Sequence, residues 1–271
     1  MQEMNVRTWE ELVLKVADGR QLLDSAEEHD SSSVLLFRGQ ENSNWPLSTT
    51  LDRYRPKMQF QEYYSIISRI KSQIESLTDH SWSIPQTPEI DRLVRDYDRF
   101  SQELWAGERP WYAYMTYLRH HGFPSPLLDW TRSLYVAAYF AFARVSESEN
   151  VSIFAYSALR LRVSGNNMRV VYRLGPHVKT HRRHVLQQSE YTMCVVSEEE
   201  ESWFEAHDGA FDPGRHQQGF CFKFIIPSTE RPKVLKVLDE PNLNAFSLFG
   251  SEDSLMEALA TREFCFSPTT R

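Results

Sequence analysis

The stretch from Leu118 to Ala143, LRHHGFPSPLLDWTRSLYVAAYFAFA, constrains this chain more than any other. Adjacent histidines, His120 and His121, run into a Gly-Phe-Pro-Ser-Pro breaker. Leu127-Leu128 then carries Asp129, Trp130 and Thr131 directly into an almost wholly apolar segment, Tyr135 to Ala143. The pattern predicts a short buried strand over 127–129 and a buried helix over 133–146. Polar groups trapped between such elements are costly unless they are paired or used. Their junction is the first candidate for a site.

The chain has 271 residues, 41% hydrophobic and 13% aromatic, enough for one large core or two small ones. No run approaches the ~20 apolar residues of a membrane-spanning helix. The start, MQEMNVRTWEELVLK, lacks the basic and apolar regions of a secretory signal. Cys194, Cys221 and Cys265 are far apart in apolar stretches. They form no zinc or disulfide spacing and read as small buried residues in a reducing, cytoplasmic setting. A net charge of −7 argues against coating nucleic acid through bulk charge. It leaves room for a local basic groove, the sharpest cluster being His181-Arg182-Arg183-His184. The acidic run Glu198 to Glu201 reads as a solvated loop.

Elsewhere, helices are predicted over 7–24, 59–79, 89–105, 109–121, 231–238 and 254–261, and a turn of helix over 49–53. Thr8 and Glu11 have the spacing of a capping box. Strands are predicted over 34–37, ending at Arg38-Gly39-Gln40, and over 151–156, 185–196 and 219–226. The segment 160–180 has no clear period. A largely helical N-terminal part followed by a strand-rich part predicts an α+β protein, with small mixed or antiparallel sheets flanked by helices.

Arg38 offers a planar fork suited to pyrophosphate or carboxylate, and Gly39 permits close approach beside it. An internal salt bridge with Asp129 is the simpler use of Arg38. Asp129 needs a partner, either Arg38 or the start of the helix near Ser133. Trp130 reads as core, with an indole N–H that needs an acceptor. Thr131 is placed to cap the helix or bind a ligand. Of the two histidines one should be exposed and one inward. His121 is the acid–base or ligand-orienting candidate, against a structural role. Spacing supplies no metal site, so no metal is expected. Tyr139 is the helix aromatic expected to line a pocket.

Together these motifs resemble the FRG domain family. Phe37-Arg38-Gly39-Gln40 is followed by Trp45-Pro46-Leu47, by the His121 to Thr131 block, and by the Ala137, Ala138, Phe140, Ala141 helix. Arg183, Gln187-Gln188-Ser189 and Tyr191 then look like its Arg…Gln-x-Gly-x-Phe element, with Ser189 where the family has Gly. Gln217-Gln218-Gly219-Phe220 is a second, looser match to that element. Ala245 to Phe249 and Leu255 to Leu259 look like its terminal helix, with Gly250 in place of Pro. The resemblance spans about 20–262 and implies a single domain over 1–271 with a helical insertion at about 55–118.

The order of motifs is also similar, more distantly, to ADP-ribosyltransferases. That resemblance implies functional positions at Arg38, at Ser125 or Thr131, and at Gln188-x-Glu190. With the residues singled out above, the expected nucleotide site comprises Arg38, Gly39, Gln40, Ser125, Asp129, Thr131, Tyr139, Gln187 and Gln188. The resemblance implies NAD as substrate, with Arg38 and Glu190 carrying the chemistry, against Glu190 as a surface residue on an edge strand; His121, from its own position, is the third catalytic candidate. The implied role is a bacterial or phage-related effector, a toxin or phage-defence protein, that transfers ADP-ribose to a macromolecule or hydrolyses NAD. A protein or nucleic-acid acceptor would sit near Arg182-Arg183, and a neutralising or sensing protein would be a further partner. A non-enzymatic ligand-sensing or interaction module is the alternative. A nuclease-like effector ranks last, because Asp129 alone is not a carboxylate cluster.

Overall fold

Eight strands build one mixed sheet, where small sheets were expected. The structure, a computed structural model, describes residues 1–25, 34–86, 88–89, 110–158, 168–198, 201–211 and 219–266. The strands are β1 (Gln2–Asn5), β2 (Leu35–Gln40), β3 (Leu128–Thr131), β4 (Asn150–Ala158), β5 (Met168–Arg173), β6 (Ser189–Glu198), β7 (Glu201–Phe204) and β8 (Gly219–Pro227). Their order is β1-β8-β4-β2-β3-β6-β5, with β7 also on β6. Among the described residues only the β1–β8 pair is parallel. The fold is α+β.

Nine α-helices are described: α1 (Trp9–Ser25), α2 (Thr50–Tyr54), α3 (Phe60–Leu77), α4 (Pro110–His120), α5 (Leu134–Phe142), α6 (Arg183–Leu186), α7 (Arg231–Asp239), α8 (Ala245–Phe249) and α9 (Glu252–Cys265). The helix expected over 89–105 lies, apart from its first residue, outside the described residues, as do Gln217 and Gln218. At α1 the Thr8 hydroxyl accepts from Glu11 N, but Glu11 reaches back to Arg7 N rather than to Thr8, so the expected box is half formed. Glu198 and Glu201 are paired strand ends, not free loop.

Two apolar clusters cover different parts of the sheet. Residues of α1, α5, α7, α8 and α9 pack with Phe37, Ile153, Ala155, Phe224 and Ile226 of β2, β4 and β8. Residues of α3 and α4 pack with Tyr191, Met193 and Val195 of β6. Helix α5 is held at both ends. Ser133 accepts from Val136 N, and the Arg231 guanidinium donates to the carbonyls of Phe142 and Ala143, each at 2.9 Å.

The joint between these halves is narrow. β2 and β3 pair only through Phe37 and Thr131. Beyond that pair, Arg38 to Gln40 align with β4, and Leu128 to Trp130 align with β6. The sheet therefore splits at the residues singled out in sequence.

Candidate functional site

Arg38 stands at the split. Its Nη1 donates to the Asp129 carbonyl oxygen at 2.8 Å, taking the place of a ladder bond between the diverging strands. Its Nε is buried with no hydrogen-bond partner among the described residues. Burial, with the nearby charges of Arg119 and Arg53, draws its pKa down to about 10, against the pull of Asp129. The group stays cationic at neutral pH and retains an unused donor, the condition in which an anion is bound most favourably.

The expected Arg38–Asp129 side-chain pair is replaced by another. Asp129 takes both oxygens to Arg119, with Nη2 at 2.5 Å and Nε at 3.3 Å. Burial penalises the Asp129 charge, but Arg119 and Arg38 outweigh it and hold the carboxyl below its ordinary range. Sequence reasoning passed over Arg119. It follows the buried Met115 by four residues and is carried to the sheet by the same helix face.

Around the split lies a pocket of about 820 Å³. Of the residues expected in a site, it gathers Arg38, Gly39, Gln40, Asp129, Thr131, Tyr139 and Gln187. It adds Arg53 and Arg144, the aromatics Trp45, Phe140 and Phe249, and the acids Glu41 and Glu257. Tyr139 donates to Glu257 Oε1 at 3.1 Å, joining α5 to α9 across the wall. The Thr131 hydroxyl donates to the Gln187 carbonyl and accepts from Ser133 N, so it fastens the pocket floor. Among the described residues no group of three His, Cys, Asp or Glu is arranged to hold a metal ion.

Four expected residues are placed elsewhere. Glu190 lies directly opposite Trp130 in the β3–β6 ladder and is wholly buried. Strand alternation puts it on the other face from Ser189 and Tyr191, which do line the pocket. Its carboxylate is taken by Arg132 Nε at 2.5 Å and Arg173 Nε at 2.6 Å. His121 is exposed and packs against the Tyr117 ring at a tilt of 34°. The pocket histidine is His120. It follows Tyr112 and Thr116 at four-residue steps, both fully buried, and its Nε2 lies 2.7 Å from the Tyr191 hydroxyl. Ser125 is buried at a joint with α2, where its backbone meets Thr50 and Leu51. Gln188 is exposed, with a left-handed φ of 48°, and its carbonyl accepts from Arg132 N.

The tripeptide at 37–39 is thus three devices in three residues: a core side chain, a half-buried cation and a close approach. Residues 33–150 match the model of the FRG domain. The chain carries an FRG domain. No curated protein and no solved structure matches the chain. The FRG match contains Arg38, Asp129, Thr131, Tyr139 and Arg144, while Gln187, Ser189, Tyr191, Phe249 and Glu257 of the same pocket come from beyond it. The pocket is complete only when the C-terminal strands and helices fold back onto the FRG match. No helix among the described residues is long and apolar enough to cross a membrane.

Proposed function

We propose that the FRG pocket binds a phosphate-bearing nucleotide, and that with NAD it supports transfer of ADP-ribose or its release to water. The observation that carries this reading is Arg38: a half-buried guanidinium at a split in the sheet, whose buried Nε has no partner among the described residues. Arg53 and Arg144 add positive charge to the same pocket, and Trp45, Phe140 and Phe249 offer faces for a base. Asp129 and Glu257 line the pocket, their carboxylates held by Arg119 and Tyr139, whereas Glu190 lies on the other face with Arg132 and Arg173. Arg183 stacks on Phe249, with Arg182 beside it, so the basic cluster adjoins the pocket wall. That position suits a protein or nucleic-acid acceptor, and an effector role in toxicity or phage defence fits such chemistry.

The removal of Glu190 from the pocket favours a second reading, a ligand-sensing module that binds without turnover. Calorimetric titration of NAD and a nucleotide panel, paired with an assay of nicotinamide release, separates them. Binding with release supports the transferase or hydrolase reading, and binding without release supports the sensor. No binding of any nucleotide by the folded protein refutes both.

A further inference from the structure

Behind the pocket wall a chain of hydrogen bonds starts from a donor whose direction is fixed. His184 Nε2 lies 2.9 Å from the Pro176 carbonyl oxygen, which only accepts, so Nε2 is the donor. Neutral His184 then has an accepting Nδ1, and the Tyr191 hydroxyl lies 3.3 Å from it. Tyr191 has one proton, and giving it to His184 leaves its oxygen to accept from His120 Nε2 at 2.7 Å. In that direction His120 is the Nε2–H tautomer, and the Ser189 side chain, a further partner of the same hydroxyl, donates to it as well. Its Nδ1 has a lone pair and no hydrogen bond to the described residues, on a side chain that lines the pocket.

We infer that His120 is the proton acceptor of the pocket, with its tautomer set by the Pro176 carbonyl through the positioning residues His184 and Tyr191. Resting on the nucleotide reading above, the step balances as follows. The oxygen of an attacking water or acceptor hydroxyl bonds to the anomeric carbon of a nicotinamide ribosyl group. The carbon–nitrogen bond breaks, and its electron pair returns to the nicotinamide ring, which leaves neutral. The attacker's proton passes to His120 Nδ1. Burial keeps His120 and His184 neutral beforehand by lowering both pKa values. The charges acting on His120 are Asp129 on β3, which favours the imidazolium, and His184, Arg119 on α4 and His181, which oppose it.

The test is His120→Gln, whose side-chain amide can still donate to Tyr191 but has no basic nitrogen. The expected result is NAD affinity within about threefold of wild type and nicotinamide release slower by about 100-fold or more. The wild-type rate should rise with pH through one titration lying below pH ~6.5, and the variant should lose that titration. In nitrogen NMR of the free protein, His120 should be protonated on Nε2 and should lose that single tautomer in Tyr191→Phe. Release by His120→Gln within about threefold of wild type, or a wild-type His120 protonated on Nδ1, overturns the inference. So does a wild type that binds NAD and releases no nicotinamide. A wild type with no affinity for nucleotides refutes the reading of the pocket instead, and the nitrogen spectra then decide the tautomer.

Discussion

Replacing Gly39 with alanine would place a methyl carbon 1.9 Å from the Ala137 carbonyl oxygen and 2.7 Å from the Ala141 nitrogen. Both atoms are α5 backbone, so no side-chain rotation relieves the clash. Restoring the 3.4 Å of an ordinary contact requires the helix to retreat by about 1.5 Å. Ser133 and Arg231 resist that movement, because they fix the two ends of α5. Overpacking of this kind should cost about 3 kcal/mol. For a chain of this size that corresponds to a fall in Tm of about 6–12 °C. Gly19, inside α1, is the internal control: a Cβ there meets nothing within 4 Å. Gly19→Ala should stabilise by about 0.5–1 kcal/mol through helix propensity. Urea unfolding followed by circular dichroism and tryptophan fluorescence measures both variants. A Gly39→Ala protein within about 0.5 kcal/mol of wild type would refute the claim that glycine is there for the approach of β2 to α5.

Glu190→Gln should destabilise by about 3 kcal/mol in urea, because it leaves Arg132 and Arg173 facing a neutral amide; unchanged stability would show that the buried pairing is idle. Burial, with the Arg38 charge, pushes His207 down to about 3. As pH falls from ~6.5 toward that value the unfolded chain takes up this proton and the folded chain does not, so stability should drop by roughly 1.4 kcal/mol per pH unit from this group. His207→Gln should flatten that slope in pH-dependent urea titrations, and an unaltered slope would assign the acid loss elsewhere. Trp130→Phe should cost about 1–3 kcal/mol, because the indole N–H donates to the Thr192 hydroxyl at 2.7 Å and that hydroxyl also meets His207; a neutral result in thermal unfolding would deny the bond any weight.

Local pattern made the elements legible where a period is long or a breaker is sharp. The 3.6-residue spacing of Tyr63, Ile67 and their neighbours gives α3, and the alternation of Phe222 and Phe224 with Cys221 gives β8. It failed for β1, four residues with little apolar content that exist because Gln2 to Asn5 align with Phe222 to Ile225. Part of the pocket was legible, because Arg38, Asp129 and Thr131 sit at motif breaks. The remainder depends on which side of an element faces inward. Glu190 was misplaced because a one-residue shift along a strand exchanges its faces, and Ser189 and Tyr191 hold the pocket side. His121 was preferred to His120 because adjacent residues on a helix differ by about 100°, and only the Tyr112, Thr116, His120 stripe settles which one turns inward. Glu257 carried no local signal, since its role arises where α9 meets Tyr139.

Calorimetric titration of NAD into wild type, Arg38→Ala and Glu190→Gln tests the central claim most directly. The account predicts that Arg38→Ala weakens binding by more than about tenfold, while folded Glu190→Gln stays within about threefold of wild type. The reverse order, with Glu190 required and Arg38 dispensable, would contradict an Arg38-centred pocket.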